Sequence, residues 1–374
     1  MKINCTTHVD YLHYVLPYPF RKKNRTVFRQ ILVDGILSAD HRYGLKDIRF
    51  ILRTAPMSTI TTNVELAADR LRAGEIVAIP TETVYGLAGN AENESAIKKI
   101  YALKNRPLDH PLIMHVAHGW DISQWVRDIP DYASVLMERF WPGALTLVMN
   151  CRTSVNPLVT GGQTTVALRC PSHPVAQALL LQLGKPLVAP SANPFGKISP
   201  TTAEHVRQSF AGSSLLILDG GRCDIGIEST IIAATHPEEY QVLRPGMIDE
   251  EQIQAAIPIK EQQVRQTIRA PGMLANHYQP EKPLYCFNDR KAMKRFCQQS
   301  KQACYVLSFV KDAEFSRHQG YQLPLNPRDA AFELYFQLRR ADQSSATIIV
   351  LELPPETAAW HGIRERAIKA GQIR

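Results

Sequence analysis

Residues 76–90 read IVAIPTETVYGLAGN. The opening apolar run is that of a buried strand, and Pro80 ends it because proline has no N–H to give to a ladder. Gly86 marks a turn shortly afterwards. A strand-to-helix connection needs one capping residue, yet two threonines here flank a glutamate. Thr81, Glu82 and Thr83 carry more polar chemistry than such a connection requires, and the stretch reads as a strand end that also holds something.

On the upstream side, Thr62 and Glu65 have the spacing of a capping box, and Val64, Ala67, Ala68 and Leu71 give the next helix one apolar face before Gly74 stops it. Downstream, a helix over Glu94–Lys104 buries Ile97, Ile100 and Tyr101. Strands are then expected in PLIMHV, WPGALTLVM, TTVALR, PLVAP and SLLILDGG, and helices in DYASVLMERFW, HPVAQALLLQLG and TTAEHVRQSF, the last with a second capping box at Thr201 and Glu204. Alternation with short connections argues a twisted open α/β sheet in which not every strand need be parallel.

Near residues 258–282 the alternation breaks at Pro271-Gly272, Pro280 and Pro283, which reads as a linker. Beyond it, LYCF, ACYVLSF and ATIIVLEL alternate with helical stretches near Arg290–Gln299, Arg328–Arg340 and Glu356–Ala370, a smaller Rossmann-like α/β domain without a G-x-G-x-x-G. The expected division is an N-terminal extension over 1–56, a main domain over 57–257, the linker over 258–282 and the small domain over 283–374.

The 43 Lys and Arg against 35 Asp and Glu invite a nucleic-acid reading. Residues 1–56 hold ten of those cations and four aspartates, leaving 33 against 31 over the rest, so the body of the chain is near neutral and its basicity says little about a nucleic-acid surface. In YLHYVLPYPFRKKNRTVFRQ the charges follow the apolar stretch, the reverse of a secretory signal. The segment reads as an upstream extension outside the working fold, with Met57 a good start; an organelle transit peptide is the alternative. Seven scattered cysteines form no C-x-x-C pair and suggest neither a zinc site nor a disulfide framework. No run approaches the length that spans a bilayer. A cytoplasmic protein with no membrane contact is expected.

Four constellations could carry chemistry. In LKNRP, Lys104 continues the buried helix face seven residues after Ile97, and Arg106 sits in the exit loop. Such cations commonly neutralise a helix C-terminus, but a Lys with an Arg fork also suits phosphate. In VAPSANPFGKISPTTAEHV a strand delivers Ser191 and Asn193 at its carboxyl end, where open α/β sheets place ligands, and Ser199 and Thr201 precede a helix; turn chemistry is the plain alternative. In GGQTTVALR, alternation puts Thr165, Ala167 and Arg169 on one strand face, the arginine suited to a salt bridge or to a small carboxylate. In GIESTIIAA…VLRPGMI, Glu228, Ser229 and Thr230 precede a strand and Arg244 precedes a Pro-Gly turn. His115, inside PLIMHV, reads by itself as a core histidine. No protein nucleophile with a defensible triad spacing is present, and no P-loop.

In this order, IPTETVYGLAGNA, LKNRP…PLIMHV, TTVALRCPSHP, VAPSAN, GIESTII and LRPGMI resemble the YrdC-type family over about residues 60–250. With APGMLANHYQP and the small domain, the chain is similar to that family's long, two-domain form. The resemblance implies a twisted α/β sheet with a concave basic cavity, and an enzyme that joins L-threonine, bicarbonate and ATP into threonylcarbamoyl-AMP with release of pyrophosphate. Downstream proteins would then pass the threonylcarbamoyl group to a tRNA adenosine beside the anticodon. Carried over by motif, L-threonine contacts fall on Thr83, His115, Arg169, Ala189 and Ser229. ATP contacts fall on Arg106, His110, Thr165, Ser191, Asn193, Ser199, Arg244 and Tyr278. Lys104 and Arg106 would act on the phosphates with Mg²⁺ as cofactor, and no protein metal site is implied. His110 stands where the family usually has Asn. The linker would fold over the cavity mouth and exclude water from a labile anhydride.

Two other readings compete. In an RNA-binding or ribosome-assembly protein the basic cavity would cradle backbone phosphate without catalysis, but Thr83, Arg169 and Ser229 serve no purpose there. A carbamoyl transferase would keep the fold and change the acyl chemistry; the linker His-Tyr pair and the second domain argue against it.

Overall fold

A computed structural model describes residues 58–259, 261, 268–274, 277–310 and 318–374. The proposed extension over residues 1–56 lies outside the described residues. Residues 60–209 and 215–374 group into one compact unit, which carries both sheets.

The first sheet is assembled from β1 (Thr59–Thr61), α1 (Val64–Arg72), β2 (Val77–Ile79), β3 (Gly86–Asn90), α2 (Glu94–Lys104), β4 (Ile113–His115), α3 (Asp131–Phe140), β5 (Leu145–Asn150), α4 (Pro157–Thr160), β6 (Thr165–Arg169), α5 (Pro174–Leu183), β7 (Leu187–Val188), α6 (Ala203–Ser209), β8 (Leu216–Leu218), β9 (Thr230–Ala233), β10 (Gln241–Arg244) and α7 (Glu250–Ala256). Its ten strands run in the order β1-β8-β2-β3-β7-β4-β6-β5-β9-β10. Parallel pairs (β2–β8, β4–β6, β5–β9) interleave with antiparallel ones (β2–β3, β3–β7, β4–β7, β5–β6, β9–β10). Helices α1 and α5 cover one face through Ala67, Leu71, Leu179, Leu180 and Leu183, packed on Val77, Ile79 and Leu216. Each fully buried leucine stabilises the fold by about 1.5–3 kcal/mol.

Three local expectations are corrected. The opening stretch is a strand–loop–strand, because Gly86–Asn90 forms β3, antiparallel to both β2 and β7. Its two glycines have little strand propensity; burial between two partners decides the matter. The cap of α1 is Asn63, whose Oδ1 accepts the Leu66 N–H at 3.0 Å, with Thr61 holding the Asn63 N–H. At α6 it is Thr202, not Thr201, whose hydroxyl takes the His205 N–H. In both cases a polar run offers several caps, and backbone geometry picks the neighbour.

The second sheet follows the linker: β11 (Leu284–Phe287), α8 (Arg290–Gln299), β12 (Cys304–Ser308), β13 (Gln319–Gln322), α9 (Pro327–Gln343), β14 (Ile348–Glu352), α10 (Ala358–Ala370) and β15 (Gln372–Ile373). Its five strands, in the order β13-β12-β14-β11-β15, pair only in parallel. Ile348–Leu351 are buried, as expected of a parallel strand covered on both faces. Among the described residues no helix is long and apolar enough to cross a membrane.

Candidate active site

The Thr-Glu-Thr loop between β2 and β3 is fully engaged. Thr81 closes the turn: its hydroxyl donates to the Val84 carbonyl at 2.6 Å and accepts the Val84 N–H. Glu82 and Thr83 both meet Arg169, at the end of β6. The Arg169 Nη2 lies 2.7 Å from Glu82 Oε1 with both side chains about 5% exposed, and Nη1 donates to Thr83 Oγ1 at 2.8 Å. Burial would raise the Glu82 carboxyl, but the guanidinium more than offsets it and holds it below the usual carboxylate value. The arginine is thus fixed from one side, with its position set by the β4–β6 register that pairs His115 with Arg169.

His115 is buried and lines the same cavity. Burial first, then the Arg169 charge, depress its imidazole to about 3, so it is neutral at pH 7. Nδ1 faces the Ile113 carbonyl at 3.2 Å, which makes it the N–H position and leaves Nε2 with a lone pair. Ala189 belongs to the same wall through its backbone, its N–H bonded to the Ile113 carbonyl.

On the opposite side, α2 ends at Lys104, and Asn105 adopts the left-handed conformation (φ 53°). Lys104 points inward. Its Nζ donates to the Ser191 and Asn193 carbonyls at 2.5 and 2.6 Å, and burial, then Arg106, push its pKa well below the ordinary lysine value. It sits behind the cavity wall, holding the loop after β7. Arg106 reaches the cavity itself. Nε and Nη2 donate to the carbonyls of His110 and Pro111, the guanidinium stands over the Phe195 ring, and the side chain lines the cavity. Burial lowers its pKa to about 10, so it stays charged.

Arg244, at the end of β10, is held by the Ser229 carbonyl and hydroxyl and by the Pro271 carbonyl. Pro271, Gly272, His277 and Tyr278 of the linker complete the lining. Tyr278 is 1% exposed at φ 61°, a left-handed conformation rare for a bulky residue. Gly272 lies beneath it: a Cβ there would stand 2.5 Å from the Tyr278 hydroxyl.

Thr83, His115, Arg169, Ala189, Arg106, Ser191, Arg244 and Tyr278 therefore share one cavity. The other sequence-derived candidates stand outside its lining. The Ser229 hydroxyl contacts Thr146 and Arg244; Ser199 donates to Glu228 at 2.5 Å; and the Asn193 amide ties its own loop at Pro194 and Lys197. Thr165 begins β6 opposite Asn150. His110 packs edge-on against Phe195. These residues support the wall; they do not face the space within it.

The likeness to known proteins follows the same layout. Residues 69–246 match the Sua5–YciO–YrdC family model, described as "Telomere recombination", and residues 248–371 match "Threonylcarbamoyl-AMP synthase, C-terminal domain". The threonylcarbamoyl-AMP synthase of Bacillus subtilis is 40% identical over 337 residues, covering 86% of this chain and 96% of that protein. The Pyrococcus abyssi protein of the same name is 35% identical over 322 residues, covering 83% and 94%. This chain belongs to the two-domain YrdC-type family. A crystal structure of P. abyssi Sua5 complexed with L-threonine superposes with a TM-score of 0.76 at 34% identity, covering 85% of this YrdC-type chain and 98% of the other.

One acidic wall residue of this YrdC-type protein, noted in the sequence only as part of the GIEST stretch, is given no contact by the motif reading. Glu228 lines the cavity, and both of its oxygens are taken: Oε1 by Ser199, Oε2 by Tyr335 (2.9 Å) and by Arg366 Nε (3.0 Å). The sequence gives no local sign of this, since Arg366 lies 138 residues away in α10.

Proposed function

We propose that this chain makes threonylcarbamoyl-AMP from L-threonine, bicarbonate and ATP, as a nucleotidyltransferase releasing pyrophosphate. The observation that carries the reading is one cavity with two chemistries. Arg106 and Arg244 offer charge suited to a polyphosphate, and Arg169, Thr83 and His115 offer partners for a free amino acid. The names borne by the relatives support it.

In this reading Arg169 faces the amino-acid carboxylate, oriented by Glu82. The neutral His115 accepts a hydrogen bond from the substrate amine or hydroxyl at Nε2. The ammonium group of the amino acid gives up a proton, and the free amine takes up the carbon of bicarbonate with release of water to give an N-carboxylate. That carboxylate attacks the α-phosphorus while pyrophosphate leaves, so the protein supplies position and charge and forms no covalent bond. Tyr278 and Gly272 keep water from the product anhydride. The two carboxylates here, Glu82 and Glu228, are committed to guanidinium groups. Among the described residues Glu228 is the carboxylate that lines the cavity, and it is paired with Arg366, so in this reading Mg²⁺ enters as part of the nucleotide. Downstream proteins and tRNA would receive the group after release.

The test follows pyrophosphate with ATP and bicarbonate, comparing threonine with serine. Val84, Ile113 and Ala189 offer apolar surface for the extra methyl, so serine should be about 10- to 200-fold poorer in kcat/KM. Absence of threonine-dependent pyrophosphate would remove the reading.

A further inference from the structure

Glu228 is out of place. A carboxylate in the wall of a cavity lined by Arg106, Arg169 and Arg244 opposes the binding of a polyphosphate unless something cancels it. Two of the three side chains that hold it, Tyr335 in α9 and Arg366 in α10, come from the C-terminal domain. Arg366 is 0% exposed and does more than pair with Glu228. Its Nη1 donates to the carbonyl of Pro245, next to Arg244, at 2.6 Å, and its plane lies 5.4 Å from the Tyr278 ring centroid. The approach is close enough that a Cβ on Gly362 would fall 2.7 Å from the Gly246 carbonyl oxygen.

We propose that Arg366 is a positioning residue for the nucleotide half of the cavity: the second domain inserts it to neutralise Glu228 and to register Arg244 and Tyr278 against each other. The C-terminal domain is then a component of the ATP site. With both guanidinium groups in place the Glu228 carboxyl, despite burial, is held down to about 2, chiefly by Arg366 and then Arg244. It is therefore ionised wherever the enzyme works.

The inference rests on the proposed reaction, so wild-type protein is assayed alongside; a wild type without threonine-dependent pyrophosphate release rejects that reaction, whatever the variants do. With an active wild type, R366M should raise the KM for ATP about tenfold or more, as expected for removing the chief partner of Glu228 and the tie to Pro245 beside Arg244, with Glu365 keeping Lys369 as its partner and the KM for threonine within about twofold. Adding E228Q to R366M should recover most of the lost ATP affinity, because the charge to be cancelled is gone. General damage by the substitution would not be rescued that way. An R366M enzyme with wild-type ATP KM, or equal rises in both KM values without rescue by E228Q, overturns the proposal. Should R366M yield no folded protein, R366K poses the same question with the charge kept and the fork lost. A rise confined to the ATP KM and smaller than tenfold supports the role; equal rises for both substrates defeat it.

Discussion

The two sheets of this chain solve one burial problem in opposite ways. The C-terminal sheet is regular: five parallel strands, with Ile349, Leu351, Leu334 and Ile363 in one continuous apolar core. The N-terminal sheet is a patchwork of short strands with mixed direction, and its interruptions admit Thr83, Lys104, Arg169 and Glu228 to the interior. The difference teaches where a chain can keep buried charge. The regular parallel strands pair their backbones mainly with one another, whereas around the cavity the chain near Pro111, Ser191, Asn193 and Pro271 supplies acceptors for Lys104, Arg106 and Arg244. The chemistry sits in the irregular sheet because its loose ends can solvate cations.

The largest expected effect comes from breaking the buried pair. R169M leaves Glu82 uncompensated and should cost about 3–5 kcal/mol of stability. It should also reduce kcat/KM for threonine by on the order of a hundredfold or more; chemical denaturation and pyrophosphate release would read both, and near-normal values in either would deny the pair its place. L351A, in the regular sheet, should cost about 2–5 kcal/mol through the cavity it leaves. Leu351 is outside the cavity lining, so L351A should nevertheless leave both KM values within about threefold at a temperature where the protein is folded. A selective loss of threonine affinity would blur the contrast between the sheets.

Acidification tests the irregular sheet and its neighbours by titration. His115, His205 and His277 are pressed down to about 3, chiefly by burial, and Glu228 to about 2. The unfolded histidines bind protons first as pH falls, so their contribution is whole above about 6.5 and shrinks toward 3; that of Glu228 is whole above about 4.5 and shrinks toward 2. All four lose stability in the same direction. By pH 5 each histidine should cost about 1–2 kcal/mol, and an apparent melting temperature that is flat between pH 7 and 5 would contradict this burial. The smallest effect belongs to an exposed pair of the same type as the buried one. Arg70 and Glu75 lie 2.9 Å apart at the surface, and R70A should change stability by less than about 1 kcal/mol. A larger cost would mean that exposure does not separate the two cases.

Much of this layout could be read from the chain. The helix period that put Lys104 on the face of Ile97 and Ile100 predicted a buried lysine, and it is one. Alternation in TTVALR placed Arg169 on one strand face, and the second domain's alternating pattern gave three of its five strands. What stayed illegible depends on distance or on neighbours. GLAGN becomes a strand only because β2 and β7 flank it. Glu228 looked like an ordinary residue before a strand because its partners, Tyr335 and Arg366, lie in another domain. Lys104 and Arg106, two residues apart, read as one pair of phosphate ligands. The backbone separates them, one holding a loop and the other lining the cavity.

That separation turns on Asn105. Held at φ 53° at the end of α2, it reverses the chain between two like charges, so that Lys104 is drawn in among carbonyls while Arg106 swings round to the open side. Only residues at ease in a left-handed turn suit this position. The middle letter of the Lys-Asn-Arg triplet is therefore a pivot: a valine or isoleucine there would misdirect both cations at once while leaving every charge in the sequence unchanged.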